Sequence, residues 1–338
     1  MPAMAAAGAA TCANLDEWGT AEPPRGGGFA RERESGAATP DAHRRMHLRL
    51  ERHQATGIGL LLIHIAALLV FVPALFSWSA VIVALVLYNV SGIGITLCYH
   101  RTLAHRGVRL ARPFEYVAVI CGALALQGGP IEWVATHRKH HAFSDGEGDP
   151  HSMGRGFLWA HCAWLFRRNA AMPTREQVRR LAPDLVDDRF FQWVDRNTLT
   201  LQAALGVVLF LFGGWSWVVW GIFARLVFCY HVTWMINSVA HLTGYRSFKT
   251  TDLSTNCWWL ALLSWGEGWH NNHHAFPFSA RFGLRWFELD PTWLILRFLR
   301  VMHLVHEIKM PSVEMLQKVR DSAQPAKRRT KGAAKASA

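Results

Sequence analysis

The 338-residue sequence predicts an all-α integral membrane protein with four transmembrane helices and a cytosolic helical cap. Three observations predict it. Apolar residue types make up 51% of the chain and charged types 18%, where soluble domains carry roughly a quarter charged. No Asp, Glu, Lys or Arg occurs in residues 54–99, and only Arg225 interrupts a second such run over 197–245. Sixteen Trp and 19 Phe stand against 5 Tyr, an aromatic weight suited to membrane interfaces and apolar channels.

Residues 1–55 are rich in Ala, Gly and Arg, hold seven acidic and seven basic side chains and lack an apolar core. They predict a disordered cytosolic tail and neither a signal nor a transit peptide. A membrane domain follows over 56–312. Its first uncharged run suffices for two spans of about 20 residues each. These fall near 57–76 and 80–99, with Pro73 and Ser77-Trp78-Ser79 marking the turn. The apolar stretch 116–130 is too short to cross and is closed by Gly128-Gly129-Pro130, so an interfacial helix is expected there. The second run splits at Gly213-Gly214 into spans near 197–213 and 217–240. Arg225 falls in the last of them. A charge at the bilayer centre costs about 2.5–3.5 kcal/mol, so this residue is expected to snorkel toward the outer end. Residues 256–265 dip into the interface likewise, and 313–338 form a basic cytosolic tail.

Each pair of spans is joined by a short uncharged link, so by the positive-inside rule both tails and the segment 100–196 lie in the cytoplasm. The net charge of +12 favours anionic partners. It is concentrated in the last 21 residues beside a membrane body, which disfavours a nucleic-acid binder and points to membrane lipid. Six cysteines, at 12, 98, 121, 162, 229 and 257, show no paired spacing, so neither a disulfide framework nor a Cys-type zinc site is indicated.

The chain holds 18 His, and three clusters stand out: His100 and His105 in YHRTLAHR, His137, His140 and His141 in THRKHHAF, and His270, His273 and His274 in GWHNNHHAF. In the last two, spacings of three and four put all imidazoles on one helix face. A spacing of five turns about 140° on an ideal helix, so His100 and His105 converge only if the helix ends or distorts there. Asn237 and His241, at i and i+4, form a fourth element. All four fall at the same predicted membrane face, the first and the last of them at the inner ends of spans. Lone His such as His64, His231, His303 and His306 read as ordinary hydrogen-bonded or interfacial side chains.

Imidazole suits Zn, Cu, Fe and Ni, and no thiolate accompanies it. Nine imidazoles exceed what one ion uses, while a structural zinc site would close at four ligands. Two ions of four or five nitrogens each, with open positions for water or dioxygen, fit the count, and a redox-active di-iron site is the economical reading. A metal transporter or sensor is the non-enzyme alternative, but its His should line the spans rather than cluster at their ends.

The segments LQGGPIEWVATHRKHHAFSDGEGDPHS, NSVAHLTGYR and LLSWGEGWHNNHHAFPFSARFG resemble the integral-membrane fatty acyl desaturases of the delta-9, stearoyl-type group, over roughly residues 55–312. The resemblance implies a mushroom-shaped helical protein with two irons in its cap and a bent tunnel for a saturated acyl chain. It implies that His100, His105, His137, His140, His141, His241, His270, His273 and His274 bind iron and that Asn237 holds a water on one iron. The implied reaction is oxygen-dependent insertion of a cis double bond, at delta-9, into a fatty acyl-CoA or acyl-lipid. A related di-iron hydroxylase or ketolase is the alternative. The motifs look nearer to bacterial and plant-type members, which implies a bacterial inner membrane.

Metal-bound imidazoles usually give their other N–H to a carboxylate. Asp149 and Glu267 are the first candidates, and Asp145 and Glu147 the next. Arg101, Arg106, Arg138 and Lys139 lie between the ligands and are expected to face outward, with Arg138 and Lys139 contacting an anion or an electron donor. Trp133, Trp258, Trp259, Trp265 and Trp269 are candidate tunnel walls. The chain shows no dinucleotide fingerprint, Cys-rich cluster or His-Pro-Gly-Gly haem signature, so electrons come from an external carrier. The resemblance implies a ferredoxin or cytochrome b5 with its reductase. Such a carrier would dock near Arg138 and Lys139 or on Lys327-Arg328-Arg329.

Overall fold

The computed structural model describes the backbone of residues 40–323 and the side chains of 54–319. Most of the two expected tails, Lys327-Arg328-Arg329 included, lies outside the described residues. The chain divides into units 1–48 and 49–338, and the architecture below is that of the second. Helix α1 (Pro40–Ala67) starts ahead of the predicted boundary at 56. It is followed by α2 (Trp78–Ile93), whose Ser77 side chain caps it by accepting from the Ala80 N–H. The same rod continues as a π-helix over Gly94–Ala104. After it come α3 (Arg112–Ala123), α4 (Pro130–Phe143) and α5 (Arg175–Leu181). The long α6 (Arg189–Val218) leads through a π segment into α7 (Arg225–Ser238). Short helices α8 (Trp258–Leu263) and α9 (His270–Ala275), then α10 (Pro291–Val301) and α11 (Val313–Ala323), follow. The fold is not wholly α: β1 (Val108–Leu110) pairs antiparallel with β2 (Val305–Ile308). Val108 and Leu110 face the core while Arg109 faces out, the alternation of a half-buried strand.

Among the described residues three helices are long and apolar enough to cross a membrane: Gln54–Phe71, Trp78–Ala104 and Arg189–His241. Their outer faces expose Leu61, Leu62, Phe71, Trp78, Leu211, Phe212 and Trp215, side chains that suit a hydrocarbon solvent. The third helix has 53 residues, about 80 Å of straight helix against a hydrocarbon core of about 30 Å. It is not straight. Gly214 adopts φ 59°, ψ −157°, which only glycine takes up readily, and the helix breaks there. The two halves then pack on each other, Gly221 leaving room for Leu209. The break lies beside the link after α1: Ser77 and Ser216 share a hydrogen bond of 3.1 Å, and Ser216 and Trp220 both donate to the Leu75 carbonyl.

Arg225 does not snorkel. It is buried, and its guanidinium donates to the carbonyls of Gly221 (2.7 Å) and Leu124 (2.8 Å) and to the Ser91 hydroxyl (3.2 Å). Helix-forming backbone leaves few free carbonyls inside a bundle. The Leu124 carbonyl, at the end of α3, is one of them, and it draws the charge inward.

The largest core cluster gathers the π segment, α3 and α4 around Leu97, Tyr99, Val119, Ala123, Val134 and Ala135. Small residues allow this close approach: a Cβ at Gly94 would fall on the backbone nitrogen of Gly122. The helix expected over 116–130 is therefore α3, shifted toward the N-terminus and packed on the π segment. Gly94→Ala should lower the unfolding midpoint in detergent by the equivalent of about 1–3 kcal/mol, the usual cost of overpacking. Gly59→Ala, with nothing within 4 Å of the added methyl, should leave it unchanged or raise it slightly. Thermal unfolding of both purified variants checks the contrast.

Candidate metal centre

Each histidine cluster reaches the centre by a different local device. In the π segment the His105 N–H bonds to the His100 carbonyl at 3.1 Å, an i to i+5 closure. The spacing of five thus becomes one turn, and the two rings lie 4.9 Å apart. Helix α4 opens at Pro130 in its first turn, with the Ile131 N–H held by Asp195 at 3.0 Å, and carries His137, His140 and His141. The six-residue α9 carries His270, His273 and His274, and His241 ends the turn after α7.

The nine imidazoles separate into two groups whose nitrogens lie within 4.8 Å of one another: His100, His105, His137, His141 and His273, and His140, His241, His270 and His274. The α4 and α9 clusters are each divided between them. His137 and His141 go one way and His140 the other, while His270 and His274 part from His273. In the first group His105 and His137 approach to 2.8 Å, His141 and His273 to 2.9 Å, and His100 and His273 to 3.1 Å, all through Nε2.

Carboxylates fix four of the rings. Nδ1 of His140 bonds to Asp149 at 2.9 Å, that of His241 to Asp145 at 2.9 Å, that of His274 to Asp252 at 2.7 Å, and that of His100 to Glu267. An ionised carboxylate only accepts, so each of these Nδ1 atoms carries the proton and each Nε2 presents a lone pair. His140 and His274 then set two lone pairs 3.4 Å apart, and the buried His241 Nε2 has no hydrogen-bond partner. Such an arrangement is repulsive until a cation lies among the nitrogens. The donor set, imidazole without thiolate, fits iron.

Glu267, Asp149 and Asp145, three of the carboxylates singled out in the sequence, each touch a histidine Nδ1. Glu147 is exposed. Asp252 was not expected. It is the only acidic residue between Asp195 and Glu267, and that isolation beside two clusters is the signal that marks it. Burial would raise Asp149, yet His140 and His151 hold its carboxyl far below the usual range, and His274 does the same for Asp252. Burial and neighbouring imidazole charge keep His105, His137, His141, His270 and His273 well below the ordinary histidine value. Burial brings His274 to about 4 despite Asp252, and His151 to about 3. Neutral imidazole is the ligand form. His140 goes the other way: burial would lower it, but Asp149 raises it.

Three of the four basic residues between the ligands, Arg101, Arg138 and Lys139, turn inward, contrary to expectation. Arg101 is buried, donating to Asp290 at 2.9 and 3.0 Å and to the Ala280 carbonyl at 2.8 Å. Arg138 spends its donors on Asp184 and on the carbonyls of Leu103, Ala104 and Leu181. Lys139 is buried and donates to Gln177 at 3.3 Å. Backbone carbonyls at the ends of the π segment and of α5 hold Arg138, and the Gln177 side chain holds Lys139, so neither points outward as expected. Arg106 is exposed and pairs with Asp184.

An apolar cleft abuts both groups. Gly92, Ile95, Trp133, Val232, Ile236 and Trp265 line it, together with Asn237 and the ligand candidates His100, His137, His140 and His270. Trp133 and Trp265 are walls, as expected. Trp258 and Trp259 are exposed, while Trp269 is buried beside Ala261 and Phe282, away from the cleft. His64, His231 and His161 stand apart from the centre in a hydrogen-bonded row ending at Ser238.

The pH dependence of the metal-free protein follows from these shifts. An unfolded histidine takes a proton near 6.5, and the buried neutral ones do not until far lower, so the unfolded state binds more protons below that pH. Stability should fall as pH drops from about 6.5 toward 4, the lowered histidines outweighing His140 and the Glu115 carboxyl that burial raises, which oppose the fall. The depressed carboxylates add to the loss only below about pH 4. A melting temperature for the metal-free protein that is no lower at pH 5 than at pH 7.5 would contradict this.

A fatty acid desaturase family model matches residues 76–308. An sn-1 stearoyl-lipid 9-desaturase of Synechocystis sp. is 50% identical over 250 residues, 74% of this chain and 78% of that protein. One of the same name from Anabaena variabilis is 49% identical over 73% of this chain and 90% of that protein. Delta-9 acyl-lipid desaturase 1 of Arabidopsis thaliana is 44% identical over 75% and 82% respectively. All nine clustered imidazoles lie inside the matched residues, and the chain belongs to the fatty acid desaturase family.

Proposed function

We propose that this fatty acyl desaturase inserts a cis delta-9 double bond into a saturated acyl chain carried on a membrane glycerolipid. The observation that carries the reading is an apolar cleft running against two histidine groups poised for metal. Relatives at 50% and 49% identity are named stearoyl-lipid 9-desaturases, which favours a lipid carrier over coenzyme A. His100, His105, His137, His141 and His273 would hold one iron, and His140, His241, His270 and His274 the other, with Asn237 beside the second for a bound water. Iron with dioxygen and two electrons supplies an oxidant able to take hydrogen from unactivated methylenes, which acid–base chemistry cannot do.

The chain's own residues orient and exclude. Trp133 and Trp265 wall the cleft, so an acyl chain entering it displaces water and meets the metal side along a fixed line. Glu267, Asp145, Asp149 and Asp252 hold the Nδ1 protons, so the imidazoles neither rotate nor exchange tautomers. Burial would raise Glu267, but its bond to His100, with Arg101 3.6 Å away and pinned to Asp290, lowers it. Two electrons come from an external ferredoxin or cytochrome b5 type carrier. Arg175 and Arg179, exposed on α5, are the better dock, since α5 packs on α4 through Lys139 and Gln177.

Four spans are the topology that this reading requires, with the 53-residue helix crossing twice about Gly214. The links near Ser77 and Ser216 would lie on one side of a bacterial inner membrane. The histidine centre, some 22 residues or about 33 Å farther along the α2 rod, would lie on the cytoplasmic side with both termini.

Expression in a host lacking unsaturated fatty acids, followed by gas chromatography of its lipids, should yield a delta-9 monoene esterified to glycerolipid. A hydroxylated or keto chain would establish the related oxygenase instead. His273→Ala and His140→Ala should cut product on the order of 100-fold or more while membrane insertion persists. Turnover with NADPH should need an added reductase and carrier, and the restored rate should fall as salt shortens the screening length. Arg175→Glu with Arg179→Glu should remove most of that salt dependence.

A further inference from the structure

The carboxylates are shared unequally between the two histidine groups. In the group of four, three members give Nδ1–H to a carboxylate: His140 to Asp149, His241 to Asp145 and His274 to Asp252. In the group of five only His100 does so, to Glu267. Cations deepen the difference. Arg101 lies 3.6 Å from Glu267, and Arg138, donating to the carbonyls of Leu103 and Ala104, borders His105. Among the described residues no Lys or Arg pairs with Asp145, Asp149 or Asp252. Backbone N–H groups of Leu253, Met153, His151 and Ser254 hold them instead, and these donors leave the negative charge in place.

Oxidising a bound iron from ferrous to ferric adds one positive charge. Nearby uncompensated carboxylates favour that added charge, and imidazoles bonded to carboxylates are stronger donors to it. We propose that the two metal positions are redox-inequivalent by construction: the four-histidine position retains the ferric state, and the first electron delivered settles at the five-histidine position. This rests on the di-iron reading above. A one-electron carrier is oxidised by one electron and one ferric ion becomes ferrous; a second carrier then reduces the other. Asp145, Asp149 and Asp252 thereby decide where the electron waits between the two deliveries. They are positioning and tuning residues, since each acts through an imidazole.

The test uses full-length protein reconstituted with 57Fe and reduced stepwise by dithionite through mediators, with Mössbauer spectra at each step. Two ferric signals are expected, one converting ahead of the other with at least tenfold preference at half reduction, equivalent to about 59 mV for one electron. Asp252→Asn should shift only the later-converting iron and narrow the preference at least threefold. Asp149→Asn serves where that variant fails to fold. Glu267→Gln should move only the earlier-converting iron. Simultaneous conversion of both irons in the wild-type protein, or an Asp252→Asn shift confined to the earlier one, would overturn the proposal. An iron count below two in the reconstituted wild-type protein would overturn the di-iron reading itself, and it is read before any reduction begins.

Discussion

The histidine centre poses one electrostatic problem: nine imidazoles, five buried and four part-buried, are gathered with their ring nitrogens aimed at each other. Each polar nitrogen removed from water costs free energy unless it finds a partner. Carboxylates satisfy the Nδ1 side of four rings and so commit their Nε2 atoms to the interior. Those carboxylates are in turn anchored, Asp145 by the Leu253 and Met153 N–H groups, Asp149 by that of His151 and Asp252 by Ser254. Loops that share little helical structure are thereby ordered around charge rather than around apolar contact.

Interleaving follows from the same demand. On α4 the spacings place His137 and His141 on opposite sides of the line through His140, about 60° and about 100° from it around the helix. Helix α9 mirrors the arrangement with His270 and His274 against His273. Each helix therefore supplies both groups, while the π segment completes the group of five and His241 the group of four. The two centres are one cooperative unit as a result, and a change in the seating of α4 reaches both.

Much of this was legible in the sequence because charge and histidine are scarce and patterned. The uncharged runs fall on the three helices long and apolar enough to cross a membrane, and the spacing of five required the distortion that the π segment supplies at His100 and His105. What sequence could not show was where long side chains end. Arg138 and Lys139 look outward on a helical wheel, yet their stems let them turn back to carbonyls and Gln177 that are brought near only by the fold. Arg225 misled for a related reason, since the carbonyl it finds, that of Leu124, lies 101 positions away. Asp252 belongs to a segment without periodicity, where contact with His274 depends on the path of the loop. The β1–β2 pair joins segments nearly 200 residues apart, a pairing that short runs such as Val108–Leu110 do not announce.

The bonds among Ser77, Ser216, Leu75 and Trp220 have a mechanical consequence. They fasten the two helical pairs at the end remote from the histidines, while metal would fasten them at the other. A bundle clasped at both extremities can bow apart only along its waist. A two-tailed lipid sliding in sideways would have to thread one tail through that waist while its headgroup remained at the water boundary. Chain admission and headgroup retention would then be parts of a single movement.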